Sequence, residues 1–111
     1  MLYVNSDGSI RLTRGDTARF QVSIQNDLTG DEYTIQEGDI LVLTVKKTVN
    51  DEDYLIRKKT TGGTNFHISP SDTSEMSFGS YVYDVELTTT DGDVYTIIGP
   101  ATFEVLSEVS Y

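Results

Sequence analysis

The chain has 111 residues, enough for one domain spanning residues 1–111 and no more. Its 18 acidic and 8 basic side chains give a formal charge of −10, which sets it against nucleic-acid phosphates and anionic membranes as partners. Cysteine is absent, which excludes thiol catalysis, cysteine-ligated zinc and disulfide staples.

Residues Met1 to Gly8 hold neither a basic leader nor a long apolar run. No signal peptide is expected there, and no window is apolar enough for a membrane span. Alternation with period two then dominates the chain, the signature of strands with one buried face. Ser9–Thr13 is a short first strand closed by Arg14-Gly15-Asp16. In Thr17–Gln25, Ala18, Phe20, Val22 and Ile24 share one face and Arg19, Gln21, Ser23 and Gln25 the other. Asn26 to Asp31 reads as a loop, and Tyr33-Thr34-Ile35 as a short edge strand before the Glu37-Gly38-Asp39 turn. Ile40–Lys47 places Leu41, Leu43 and Val45 in the core, with Val42 and Thr44 on a partly covered outer face. Tyr54–Thr60 is expected at a sheet edge, because Arg57-Lys58-Lys59 discourages edge-to-edge pairing.

Thr61-Gly62-Gly63 is a turn, and Asn65–Ser69 a short strand with Phe66 and Ile68 inward. Ser69-Pro70-Ser71-Asp72 has the form of a helix start, with Ser69 as cap, Pro70 at the first helical position and Asp72 reaching back. The nearby Gly79 limits that helix to one turn. Tyr81 stands two residues before Tyr83, the spacing of a tyrosine corner, and Tyr81, Tyr83, Val85 and Leu87 form a core face. Asp91-Gly92 reads as a two-residue hairpin turn pairing Thr90 with Asp93. That register sets Leu87 opposite Thr96 and Val85 opposite Ile98. It turns Val94, Thr96 and Ile98 inward and Tyr95 and Ile97 outward. Gly99-Pro100 interrupts the ladder, and Phe103 and Val105 face inward on the last strand.

Roughly seven or eight short strands with regular turn signals predict an all-β chain folded as an immunoglobulin-like β-sandwich of two antiparallel sheets. A small closed barrel is the competing architecture.

Chemistry finds little support in the residues. His67, the single histidine, points outward on its strand with no implied nucleophile or carboxylate beside it. Carboxylates gather at Asp27/Asp31/Glu32, Asp51/Glu52/Asp53 and Asp91/Asp93, all in turns where aspartate caps its own backbone. None has the spacing of a calcium loop, so no metal, cofactor or catalytic residue is assigned. Arg14-Gly15-Asp16 spells the integrin-recognition tripeptide, yet a strand connection needs the same residues for its turn. Gly62-Gly63 lacks the Lys-Ser/Thr of a phosphate loop. The outward residues Val42, Val82, Tyr95 and Ile97 could join Tyr3 or Tyr111 in a contact patch, with Val82, Tyr95 and Ile97 as its centre. Seven tyrosines also allow stacking on sugar rings.

Three segments in order carry a resemblance. They are Thr13-Arg14-Gly15-Asp16-Thr17-Ala18-Arg19-Phe20, then Glu37-Gly38-Asp39 with Leu41-Val42-Leu43-Thr44-Val45-Lys46-Lys47, then Ile68-Ser69-Pro70-Ser71-Asp72-Thr73 through Gly79-Ser80-Tyr81-Val82-Tyr83-Asp84-Val85-Glu86-Leu87 to Phe103-Glu104-Val105. Together they resemble the immunoglobulin-like domains of tailed phages and prophages of Gram-positive bacteria, typified by the N-terminal domain of the baseplate upper protein. The resemblance covers about residues 10 to 106 and implies a non-enzymatic structural or adaptor role in the virion, acting through protein–protein contacts. It implies partners among other virion proteins, with self-association open, and a product of the host cytoplasm that ends up in the particle. Unlike the longer baseplate proteins, where a stalk follows this domain, the sequence stops at Tyr111, which makes a free-standing accessory protein equally expected. The alternative is a carbohydrate-binding or adhesin module.

Overall fold

The computed structural model describes residues 2–4, 8–24 and 32–107. In chain order these form strands β1 (Leu2–Val4), β2 (Ile10–Thr13), β3 (Ala18–Gln21), β4 (Ile40–Lys46), β5 (Ile56–Thr61) and β6 (Asn65–Ile68). The one-turn helix α1 (Pro70–Thr73) follows, then β7 (Gly79–Thr88) and β8 (Val94–Leu106). The expected loop at Asn26 to Asp31, with Asp27 and Asp31, lies outside the described residues.

One sheet has six strands in the order β1-β2-β8-β7-β4-β5, and the other pairs β3 with β6. Both were expected to be antiparallel. The large sheet is instead mixed, because β2 runs parallel to β8, with Ile10 beside Phe103 and Leu12 beside Val105. Strand β1, which the sequence pattern did not announce, pairs with β2 at the sheet edge. The buried faces of the two sheets share one apolar core that includes Leu12, Leu41, Leu43, Val45, Ile68, Tyr83, Val85 and Phe103. Inward residues of β4 and β7 alternate with half-covered or exposed ones along each strand, as the pleat requires.

Thr17–Gln25 is strand only as far as Gln21, yet its apolar face continues. The Val22 N–H donates to the Thr64 carbonyl (2.9 Å), and Val22 and Ile24 are buried. Tyr33-Thr34-Ile35 is not a strand; the described backbone there makes an isolated bridge at Glu32, and the Tyr33 N–H donates to the Ile24 carbonyl at 2.7 Å. The reason is the Asp39 carboxylate described below, which gathers this segment into a turn.

Strand β5 closes one edge of the large sheet, as its charge predicts. Its middle lysine points the other way from its neighbours. Lys58 shares the inner side with buried Ile56, and its ammonium reaches the Asp72 carboxylate at 2.8 Å. Asp72 also accepts the Ser69 N–H at 2.8 Å, closing the capping box of α1. Partial desolvation pushes the Asp72 carboxyl upward, but Lys58 and the Ser69 donors outweigh it and hold the group below its ordinary value.

The corner into β7 is a tyrosine corner. The Tyr81 hydroxyl donates to the Ser77 carbonyl four residues upstream at 2.7 Å. Tyr81→Phe keeps the ring and strands that carbonyl, so it should cost about 1 kcal/mol in urea unfolding with an unchanged slope. An unaltered midpoint would show that the corner does not hold.

The β7–β8 hairpin departs from the expected register by one residue. The Thr89 N–H donates to the Asp93 carbonyl (2.8 Å), and the Gly92 N–H donates to the Thr89 carbonyl (2.9 Å). The loop is therefore Thr90-Asp91-Gly92, with Gly92 at φ 90°. A three-residue loop ending in a left-handed glycine is the next commonest hairpin after the two-residue kind. Leu87 consequently pairs with Tyr95 and Glu86 with Thr96. A bulge at Ile97 then restores the expected pairing of Val85 with Ile98, and a second at Gly99-Pro100 sets Tyr83 opposite Ala101.

Candidate functional site

A one-residue slip reverses every facing it touches, so the hairpin does not present the surface read from the sequence. Tyr95 shares the side of Leu87, although it lies at the tip and is 52% exposed. Val94 pairs with the outward Thr88 and is 57% exposed, so it does not face the core. Thr96, also expected inward, pairs with the exposed Glu86 and is exposed itself. Ile97, expected outward, packs against the core beside Ile98. Val82 does lie on the outer face, half-buried, in a shallow groove with Thr44, Lys46, Val49, Asp84 and Pro100. Val82, Tyr95 and Ile97 therefore do not form one patch. Val42 and Val82 do share the outer face, and Tyr111 lies outside the described residues.

The other sequence candidates serve the backbone. Arg14 lies over the Phe78 ring, 4.2 Å from its centroid, and its Nη1 donates to the Met76 carbonyl at 3.4 Å. The Gly15 N–H donates to the buried Thr73 hydroxyl at 3.0 Å. The Arg14-Gly15-Asp16 turn is thus built into the α1 corner. His67 is exposed on β6 opposite Arg19, beside an open depression over β3 and β6. Among the described residues, no three His, Asp or Glu side chains converge as a metal-ion set, and no helix is long and apolar enough to cross a membrane.

The polar centre that the sequence did not reveal is Asp39. It sits in a turn, where aspartate is ordinary, yet it is 1% exposed. One oxygen accepts the Tyr33 hydroxyl (2.6 Å) and the Gln36 N–H (2.9 Å), and the other accepts the Thr90 N–H at 3.2 Å. Its own carbonyl takes the Gly62 N–H at 2.7 Å. One carboxylate thereby ties the Tyr33 segment and the β7–β8 loop together, while its backbone holds the β5–β6 turn. The Tyr33 hydroxyl and the Gln36 N–H lower its pKa against the opposing effect of burial, with Thr90 adding to the fall. Tyr33 shifts upward, first through that same hydrogen bond, then through desolvation and the charges of Asp39, Asp91 and Tyr95. A carboxylate so saturated with donors is a poor base, and a phenol so held is a poor acid. The arrangement is architectural.

A charge test follows from the sign of the Asp39 shift. A carboxyl whose folded pKa lies below its ordinary 3.8 adds stability above that value, and the contribution disappears as pH falls through the folded pKa. Asparagine must meet the same donors with one acceptor oxygen and an NH₂. Asp39→Asn should lower the thermal midpoint at neutral pH and flatten its fall between about pH 4 and pH 2. Asp72 keeps part of that slope, since its shift has the same sign. Circular-dichroism melts across that window measure both quantities, and an unchanged profile would show that Asp39 holds nothing together.

A scan against protein-family models finds no match to the chain, and neither a curated protein nor a solved structure matches it.

Proposed function

We propose that the chain is an immunoglobulin-like β-sandwich domain of tailed-phage or prophage virions, non-enzymatic, which holds other virion components through protein–protein contacts. The observation that carries this reading is the strand order together with the tyrosine corner. The β8-β7-β4 run with β5 added at its edge corresponds to the three-stranded face of an immunoglobulin domain extended as in the variable type, and β3-β6 corresponds to two strands of the opposite face. Tyr81 bonds to Ser77, and Tyr83 occupies the place where antibody domains carry a cysteine. The carboxylates Asp39 and Asp72, which could otherwise serve chemistry, are committed to turns and a cap. What the domain offers a partner is surface, chiefly the outer face of the large sheet.

The test is the composition of particles. Particles of the phage or induced prophage that encodes the chain are purified through a density gradient and quantified by mass spectrometry. A fixed copy number co-sedimenting with tail or baseplate proteins is expected, and absence from the particles would overturn the virion role. The exposed ring of Tyr95 favours the carbohydrate-binding reading as the alternative. Saturable glycan-array binding that is lost in Tyr95→Ala would establish it in place of the adaptor role.

A further inference from the structure

The outer face of the large sheet carries an ordered pattern of charge. Lys59 on β5 stands beside Val42 on β4, and Val42 beside Glu86 on β7. In the next outward row, Arg57 stands beside Thr44, and Thr44 beside Asp84. Each row thus reads cation, neutral residue, anion across three neighbouring strands. Two strand spacings, about 10 Å, separate the cation from the anion in each row. Lys59, Arg57 and Glu86 are exposed, and Asp84, Val42, Thr44 and Val82 are half-buried. Arg57 stacks on Tyr54, its guanidinium carbon 4.1 Å from the ring centroid. Side chains stand roughly perpendicular to a sheet, so within the chain the two charges of a row lie side by side across β4 rather than end to end.

We infer that this face pairs with the same face of a second copy of the chain. The pattern is self-complementary under one operation, a two-fold axis lying in the interface along β4. That axis preserves position along the strands and exchanges left for right. It brings Lys59 of each copy over Glu86 of the other, Arg57 over Asp84, and Val42 against Val42. Such isologous pairing is the commonest symmetry of homodimers. Sheets packed face to face lie about 10 Å apart, within the combined reach of a lysine and a glutamate. The one mismatch is Lys46, which the axis would set against its own copy. It lies four residues from Val42, and the roughly 30° crossing of packed sheets carries strand ends apart while leaving the Lys59–Glu86 row at the centre.

The footprint sets the strength. The three strands that the axis superimposes, β5, β4 and β7, each about 20 Å long, cover a planar area of about 300 Å², somewhat over a third of the surface per partner of a standard stable interface. Each copy also carries −10, so approach is repulsive until salt screens charges beyond about 8 Å near 0.15 M. The pairing is therefore a weak, reversible dimer.

Pairing of this kind rests on the outer face put forward above as the contact surface, and its failure is distinguishable from failure of the virion role, which particle composition decides separately. The test is a charge swap read by sedimentation equilibrium up to about 1 mM chain near 0.15 M salt. The wild-type chain should dimerise. Lys59→Glu and Glu86→Lys, each alone, set like charges against each other twice per dimer and should weaken pairing at least about tenfold. In an equimolar mixture, a heterodimer of the two variants meets opposite charges at both sites and should regain affinity to within about threefold of wild type. Both substitutions are at exposed positions, so unchanged melting curves verify the fold. A monomeric wild type at every concentration, variants that dimerise as the wild type does, or a mixture that fails to recover would each overturn the proposal.

Discussion

Phe103→Ala should lower the unfolding free energy by about 3–5 kcal/mol, the usual cost of emptying a buried aromatic site. Phe103 is fully buried on β8, flanked by Ile10 on β2 and Tyr81 on β7. Its ring meets Tyr83 edge to face, with centroids 6.2 Å apart. The site therefore joins three strands and both tyrosines of β7, and it cannot collapse without moving a ladder. Against a typical total of about 5–15 kcal/mol, the loss takes a large share and leaves the variant close to unfolding at physiological temperature. Phe103→Leu keeps most of the volume and should cost less than about 1.5 kcal/mol. The neighbouring Thr102 is exposed, so Thr102→Ala should stay within about 0.5 kcal/mol. Urea titrations with a common slope measure all three. A Phe103→Ala loss below about 1 kcal/mol would mean that the core is not centred where β2, β7 and β8 meet.

The elements most legible in the sequence are those whose inner face is fully covered. Ile40–Lys46 and Gly79–Thr88 alternate without interruption because every second side chain is sealed between the sheets. The one-turn helix was legible for a local reason: Ser69, Pro70 and Asp72 specify a cap within four residues. Pairings between distant segments were not legible. Nothing in Ile10–Thr13 says that it runs parallel to residues 103–106, since a strand's composition does not record its neighbour's direction.

The hairpin register failed for a different reason. Asp91-Gly92 suits both a two-residue and a three-residue loop, and the choice is tied to the bond from the Thr90 N–H to Asp39, 51 residues upstream. Asp39 itself gave no signal, because a turn aspartate is favoured whether buried or not. Lys58 did leave one: alternation places it on the side of Ile56 and Thr60, so one member of the Arg57-Lys58-Lys59 run had to turn inward. The cation and anion rows of the outer face became visible only when three strands were set in register.

Gly99→Ala should cost about 3 kcal/mol, an unusually large effect for adding one methyl group to a half-exposed hairpin. Two causes act together. The backbone there has φ 122°, a region that L side chains rarely adopt. A β-carbon would also lie 2.6 Å from the Asp84 Cβ, 2.9 Å from the Asp84 Cα and 3.0 Å from the Tyr83 carbonyl oxygen. Two of these three neighbours are backbone atoms of the strand that pairs with β8, so relief requires the ladder to open where Tyr83 faces Ala101. Gly79 supplies the control, with φ 138° and no atom within 4 Å of the place a β-carbon would take. Gly79→Ala carries the conformational cost alone, about 1–2 kcal/mol, so the difference between the two variants isolates crowding at the second bulge. Equal losses in urea would show that Asp84 and Tyr83 yield freely. A larger loss at Gly99 would show that the close approach of the strands at the second bulge, where β8 shifts from Val85–Ile98 to Tyr83–Ala101 pairing, tolerates no side chain.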